Sequence, residues 1–388
     1  MPIISPEAHD VVVVGAGVPG LAVAWRARTR GLRVLVLERD APGAGASSVA
    51  AGMLAPVSEA DAGERELLQL GLESARRWPS FAAELHDVTG VDVGYRTTGT
   101  LLVARDRDEA EALERELDLR ARLGLRAERL RPSQARALEP ALAPTVRLGL
   151  SVPDDHSADP RALVRALRGA CDVAGVELRT GAEVAEVLHD GTRVRGVRLA
   201  DGERLAAGAV LIAAGAWSGG VPGLPDDARV PVRPVKGQTV RLRDPRFDPA
   251  QPLCERILRW DGGYLVPRAD GRHVLGATVE ERGFDTSMTA LGVHELLRDG
   301  SELLPGLLEL EVEELVAGLR PGTPDNAPVL GASHALAGLH YATGHHRNGI
   351  LLAPVTADLV AGELAGEGGG HAFGPGRFAG AAAAEVPA

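Results

Sequence analysis

The sequence predicts a mixed α/β fold: a Rossmann-type parallel-sheet domain, discontinuous along the chain, with an antiparallel-sheet domain inserted into it. Three observations carry this expectation. The chain opens with two short, wholly apolar runs on either side of a helical stretch, the pattern of parallel strands buried on both faces. A similar run, "AVLIAAG", returns near residue 210. Between 230 and 281 the pattern changes to several short strands in succession with no helix between them, as in an antiparallel sheet.

Taken in order, Val11 to Val14 is a β-branched run that suits a buried strand. Residues 20 to 30, "GLAVAWRARTR", place apolar side chains at helical spacing, and Gly31 ends that helix. "RVLVLERD" is a second strand. The three form a β–α–β unit, which requires parallel strands and a right-handed crossover. Residues 41 to 56, "APGAGASSVAAGMLAP", are small, glycine-rich and aperiodic, and read as a loop. A helical stretch follows over about 60 to 88, then a strand over 98 to 106 and a charged helix over 107 to 123. Asp159 caps an amphipathic helix over 159 to 175, with Pro160 at its first position. Residues 176 to 215 alternate apolar and polar side chains around Asp-Gly turns, which predicts antiparallel hairpins ending in a buried strand. Further strands fall on "KGQTVRLRD", "RILRW", "GGYLVPR" and "HVLGATVE", and a charged helix covers about 289 to 303. Residues 350 to 364 are apolar and helix-prone.

The composition is that of an ordinary globular protein, 45% hydrophobic and 24% charged, and 388 residues suffice for more than one domain. A net charge of −11 argues against nucleic acid, whose phosphates need a concentrated basic face. Cys171 and Cys254 form no CxxC, which excludes a disulfide framework and a zinc site and fits a reducing cytosol. The opening "MPIISPEAHD" has no charged n-region or apolar h-region, so no signal peptide is read there. No run approaches the roughly 18 to 20 apolar residues of a membrane span. The expectation is a cytoplasmic protein that binds no metal.

The first chemical motif is Gly15-x-Gly17-x-x-Gly20, directly after a strand and at the start of a helix. Gly15 permits the tight turn, Gly17 lets backbone approach a pyrophosphate, and Gly20 lets helix and strand pack closely. The pyrophosphate then meets the free N–H groups of the helix N-terminus. Glu38, at the end of the second strand, can accept hydrogen bonds from ribose hydroxyls. Pro19 falls near the first helical position, where its missing N–H costs little. The motif predicts a dinucleotide but does not choose between NAD and FAD. The boundaries read from these patterns are 1–90, 150–222 and 318–366 for the nucleotide-binding domain, 91–149 and 223–317 for a substrate domain, and 367–388 for a flexible Gly/Ala-rich tail.

Several separate stretches carry a more specific likeness. They are "VVVVGAGVPGLAVAW", "LERDAPGAGASSVAAGMLAP", "IAAGAWS", "PVKGQ", "GGYLVPR", "LGATVE", "GLRPGTPDNAPVLG" and "GHHRNGILLAP", in that order from about residue 10 to 360. With them the sequence resembles the FAD-dependent D-amino acid oxidase family, and within it the glycine oxidases of the thiamine-biosynthesis type. The resemblance implies a glutathione-reductase-like FAD-binding domain beside the antiparallel domain, non-covalent FAD and a homo-oligomer. It places Val18, Pro19 and Arg39 in the nucleotide pocket with Glu38, and Ala46, Ser47, Ala51, Gly52 and Met53 on a loop running past the phosphates towards the flavin ring. Val184 matches a backbone contact to the adenine. His345, His346, Arg347, Asn348, Gly349, Ile350 and Leu351 match a segment wrapping the flavin's pyrimidine edge. Arg320 matches the arginine that pairs with a substrate carboxylate, and Tyr264, Arg347 and Met53 match further substrate-site positions. His346 stands where relatives have a more apolar residue, and Ala46-Ser47 where they often carry two hydroxyls.

The activity implied is oxidative deamination of glycine or another small amino acid. A hydride passes from Cα to flavin N5, oxygen takes the electrons to give hydrogen peroxide, and the imine yields glyoxylate and ammonia or enters thiazole synthesis. No side chain is assigned as general acid or base. Arg320 reads as a fork for a carboxylate on a Gly- and Pro-rich turn, the alternative being a surface arginine held by Asp325. Arg347, at the mouth of the 350–364 helix, reads as a fixed cation beside a helix N-terminus that stabilises charge on the reduced ring. Lys236 reads either as an aid to oxygen chemistry or as half of a structural ion pair. Three rival readings are a related oxidase for sarcosine or a larger D-amino acid, a dehydrogenase passing electrons to a carrier, and a flavin-binding module without catalysis.

Overall fold

The computed structural model describes residues 9–379. Strand β1 (His9–Val14) is followed by helix α1 (Val18–Thr29) and strand β2 (Val34–Glu38). β1 pairs in parallel with β2, as the apolar runs require. The expected loop then holds one helical turn, α2 (Ala46–Val49), and a two-residue strand, β3 (Met53–Leu54). Helix α3 (Arg65–Thr89) buries Trp78, Phe81 and Leu85 along one side and ends at Gly90 in the left-handed conformation. Strand β4 (Thr100–Ala104) precedes helix α4 (Arg107–Arg122), whose N-cap Asp106 accepts the Glu109 N–H. Strand β5 (Glu128–Leu130), helix α5 (Pro132–Leu138), strand β6 (Leu148–Val152) and strand β7 (His156–Ser157) follow. Helix α6 (Pro160–Ala174) starts as the sequence indicates: Asp159 accepts from the Arg161 and Ala162 N–H groups, and Pro160 opens the first turn.

Strands β8 (Glu177–Thr180), β9 (Val184–His189), β10 (Val194–Leu199) and β11 (Arg204–Ile212) come next. Only the last three form the expected antiparallel hairpins; β8 pairs in parallel with β2. β11 serves both arrangements, its first half antiparallel to β10 and its second half parallel to β1. Strands β12 (Arg233–Arg243), β13 (Ile257–Trp260), β14 (Gly263–Pro267) and β15 (Arg272–Gly276) lead to helix α7 (Ala290–Leu303) and the long strand β16 (Glu311–Gly322). Strands β17 (Val329–Ala332) and β18 (Leu339–Thr343) and helix α8 (Ala353–Leu364) complete the fold.

Two eight-stranded sheets result. The first runs β17-β18-β11-β1-β2-β8, with β10 and β9 joined through β11. The second runs β16-β12-β15-β14-β13-β4-β6-β5 and is antiparallel except where β13 meets β4. β6 and β16 lie in the second sheet, so that sheet continues to residues 152 and 322, past the boundaries of 150 and 318 drawn from sequence. Alternate residues of β1 enter different cores. Val11 and Val13 pack with α1, α6 and α8, while Val12 and Val14 pack against the opposite layer. Each such buried aliphatic side chain contributes about 1.5–3 kcal/mol, which is why the run is wholly apolar rather than alternating. The described part of the expected flexible tail is exposed over 367–370 and packs from Phe373 onward. Phe373 joins the core, its carbonyl accepts the Leu330 N–H, and Arg377 pairs with Asp325. Residues 380–388 of that expected tail lie outside the described residues. No helix among the described residues is long and apolar enough to cross a membrane.

Candidate active site

The carboxyl ends of β1 and β2 open onto a cavity of about 1070 Å³ that continues across to the second sheet. Its first end is built by the glycine turn. Gly15 has φ +106°, and a Cβ there would lie 2.5 Å from the Ala213 carbonyl oxygen. A Cβ on Gly20 would lie 2.1 Å from the Gly15 carbonyl oxygen, so close packing of α1 on the turn excludes any side chain. Gly17 differs: it faces the cavity, and its nearest neighbour would be the Ser47 hydroxyl at 3.4 Å. The three positions thus supply a turn, an open approach and a tight contact, the division of labour a bound pyrophosphate requires. Glu38 is held by two backbone donors, accepting the Ala16 N–H at 2.8 Å and the Asp40 N–H at 3.0 Å. Each oxygen keeps acceptor capacity for a ribose hydroxyl. Val184 lines the same end from β9.

The loop from 43 to 53 forms the long wall. Ser47 accepts the Val18 N–H at 3.1 Å, tying the loop to the start of α1. Arginines from other elements take the loop's carbonyls. Arg161 Nε and Arg241 Nη2 donate to Ser48 at 2.9 and 2.7 Å, and buried Arg268 donates to Ala51. Gly52 is obligatory, because at φ +80° a Cβ would lie 2.0 Å from the Ala158 carbonyl oxygen. Ala46, Ala51 and Met53 line the cavity beside it. At the mouth, the Arg39 guanidinium sits 4.0 Å over the Trp217 ring, and Trp217 stacks on Phe284 at 5.6 Å. Trp217 falls in the "IAAGAWS" stretch and Phe284 lies in a loop; neither carries a periodic signal for this stacking.

The far end belongs to the second sheet. Arg320 is on strand β16, not on a turn, and Asp325 pairs with Arg377 instead. Its Nη1 donates to the carbonyls of Lys236 and Thr278, at 3.3 and 3.1 Å, and the fork lies over Gly237, where a Cβ would be 2.5 Å away. No carboxylate among the described residues forms an ion pair with it. Tyr264, from β14, lies beside it; burial raises the phenol's pKa, and Arg320 opposes that shift. Lys236 is fully buried and donates to Asp285 at 2.6 Å, which is the structural ion pair.

The segment 345–351 divides between two surroundings. His345, His346, Arg347, Gly349 and Ile350 line the cavity, whereas Asn348 and Leu351 face the α3 side. The Leu351 carbonyl accepts from Trp78 and Ser74. Helix α8 begins at Ala353, three residues later than expected, with Pro354 in its first turn. A 3₁₀ turn at His346–Asn348 precedes it. The cavity therefore meets the turn before the helix rather than the helix's own first residues. Arg347 is not a solitary cation: its Nε lies 3.3 Å from Glu59 Oε2, a cavity residue that carried no signal in the sequence.

Both histidines are held neutral. Burial lowers His345 to about 4, and its Nε2 bonds Thr356 at 3.0 Å. Burial and then the charges of Arg320, Arg347 and Arg233 lower His346 to about 4. Burial lowers His273 to about 4 as well. In the unfolded chain these groups protonate near their ordinary value of 6.5, so the fold is favoured above that pH and loses stability as pH falls towards 4. Buried Asp155 acts oppositely. Its carboxyl is raised to about 6, so its contribution is present below 3.8 and is lost as pH rises through 6. Burial lowers His156 and His340 as well and raises Glu139, so five histidines against two carboxyls predict a Tm that falls between pH 6.5 and pH 4, read by thermal melting; a flat or rising profile over that interval contradicts the assignment.

The cavity is larger than the roughly 300–1,000 Å³ of ordinary small-molecule sites. It joins a pyrophosphate turn to an arginine that has no acidic partner among the described residues, so the residues present fit FAD with room for a small anion beyond it. The comparisons agree. A family profile described as FAD dependent oxidoreductase (DAO) matches residues 10–363. Glycine oxidase of Geobacillus kaustophilus is 36% identical over 355 residues, 91% of this chain and 92% of that protein. A crystal structure of glycine oxidase from the same organism superposes with a TM-score of 0.86 at 33% identity, covering 98% of this chain and 100% of that one. The bifunctional protein ThiO/ThiG of Trichormus variabilis is 38% identical over 354 residues, 91% of this chain but 52% of that protein, so the chain spans about half that relative's length. The chain belongs to the DAO family of FAD dependent oxidoreductases.

Proposed function

We propose that the protein oxidises glycine, or another small amino acid, at its Cα–N bond. The observation that carries this is Arg320, a cavity guanidinium without an acidic partner among the described residues, beside Tyr264 and in one cavity with the dinucleotide turn. The relatives named glycine oxidase support the same reading. When bound, FAD would supply the hydride acceptor for Cα, with oxygen as the final electron acceptor and hydrogen peroxide as its product. Arg320 holds the substrate carboxylate, and the Tyr264 hydroxyl is placed to donate to it. A forked, charge-assisted contact fixes orientation as well as contributing about 1.5–3 kcal/mol. The glycine turn and Glu38 hold the nucleotide half, and the 43–53 loop together with Gly349 and Ile350 holds the flavin half. Catalysis is then positioning and electrostatics. The neutral amine loses its α-hydrogen, and the resulting imine hydrolyses to glyoxylate and ammonia or passes to thiazole synthesis. A cytoplasmic homo-oligomer completes the proposal.

Purified holoprotein mixed with glycine without air is expected to lose its visible flavin absorbance. In air it is expected to release peroxide in step with glyoxylate. A flavin that stays oxidised with glycine, sarcosine and D-alanine alike contradicts the proposal. Bleaching without peroxide in air would favour the dehydrogenase reading.

A further inference from the structure

We propose that Glu59 limits the site to substrates with a single carboxylate, by neutralising Arg347 and facing the substrate with its own negative charge. The inference rests on the oxidase reading above. Three guanidinium groups line the substrate end of the cavity: Arg259, Arg320 and Arg347. They differ in what occupies them. Arg259 is turned to the Ser58 carbonyl at 2.6 Å and its hydroxyl at 3.1 Å, and buried Asp155 lies within its field. Arg347 is paired with Glu59, whose side chain is 13% exposed against 42% for the arginine. Arg320 has no carboxylate partner among the described residues, so it is the cation left for an incoming anion.

Glu59 is close to that anion's position as well. It lines the same cavity as Tyr264, Arg320 and His346, and its chain neighbour Ser58 is held by Arg259, the residue opposite Tyr264 on the paired strand β13. A second carboxylate on the substrate's nitrogen or side chain would therefore meet an arginine already compensated and a glutamate of like charge. Like charges brought together in a desolvated site cost several kcal/mol. The neutral His346 adds no cation to offset this.

The test uses holoenzyme and two unreactive ether acids that differ only in the second carboxylate, methoxyacetate and diglycolate. Their dissociation constants are measured by titration calorimetry, alongside peroxide release from glycine and from iminodiacetate. Wild type should favour methoxyacetate. Glu59→Gln should improve diglycolate relative to methoxyacetate by about tenfold or more, and raise the iminodiacetate-to-glycine ratio of kcat/KM in the same direction. In the double variant Glu59→Gln, Arg347→Gln that gain should shrink to the part that comes from losing the glutamate's own repulsion. The ratio of two ligands on one sample is insensitive to the fraction folded. An unchanged ratio in Glu59→Gln, or a gain that is undiminished without Arg347, overturns the role given to Glu59 while glycine oxidation stands. Failure of the wild type to oxidise glycine or to bind methoxyacetate would overturn the oxidase reading itself, and this inference with it.

Discussion

Replacing Arg320 by alanine is expected to lower kcat/KM for glycine by about 100-fold or more, chiefly through a higher KM, with flavin content unchanged. Arg320 is a cavity guanidinium that forms no ion pair among the described residues, and removing one member of a buried charged hydrogen-bonded pair typically costs about 2–5 kcal/mol. Each 1.4 kcal/mol is a factor of about ten. Arg320→Lys separates charge from geometry, because a lysine keeps the cation but loses the fork. It should fall between wild type and alanine. Alanine also releases the Lys236 and Thr278 carbonyls that the guanidinium now holds, so a modest drop in Tm is expected with it. Steady-state kinetics on flavin-normalised enzyme make the comparison. Unaltered constants in both variants would remove the carboxylate from this position.

The second large effect is at Gly17. Its backbone is extended, with φ −74° and ψ 176°, which valine adopts without strain, and a Cβ would meet nothing nearer than the Ser47 hydroxyl at 3.4 Å. Gly17→Val should therefore fold. Its methyl groups fill the space through which a pyrophosphate reaches the N–H groups at the start of α1. Losing two charge-assisted bonds of about 1.5 kcal/mol each weakens FAD binding by about 100-fold. The protein should purify colourless, with normal circular dichroism, and should gain little bound flavin when FAD is added. A yellow variant with full flavin content would place the cofactor elsewhere. Gly15 and Gly20 are poorer tests, since any side chain there strikes the backbone and a loss of flavin could not be told from a loss of fold.

The β1–α1–β2 unit was legible because three independent signals coincide in it: apolar runs buried on both faces, helical spacing, and glycines where only glycine fits. Helix α6 was legible from a cap and a proline. Elsewhere local signals misled. Pro321 and Gly322 suggest a turn, yet β16 runs through them, because it is an edge strand and a proline is tolerated there without a lost ladder bond. β8 is short and flanked by hairpin-like sequence, so nothing local tells that it joins the parallel sheet beside β2. The start of α8 was readable, since Pro354 belongs in a first turn, but the apolar run beginning at Ile350 obscured it. The 367–379 segment looks flexible by composition, yet its second part docks through buried Phe373, the Leu330 N–H on the Phe373 carbonyl and the Arg377–Asp325 pair, none of which composition reveals. At the site, the glycines and Glu38 are legible from a motif, because their chemistry follows from residue type and position; Arg320 and Tyr264 are named only by the family resemblance, since a lone arginine or tyrosine on a strand carries no local signal. Glu59, Trp217 and Phe284 are not legible, since their roles arise from neighbours distant in sequence.

The most direct test of the central claim is a crystal structure of the holoenzyme with methoxyacetate. The account predicts the carboxylate bound by the Arg320 guanidinium within reach of the Tyr264 hydroxyl, with the ligand's methylene against the flavin ring and the pyrophosphate on the glycine turn at Gly15–Gly17. A ligand bound away from Arg320, with that side chain still engaged only by the Lys236 and Thr278 carbonyls, would contradict it.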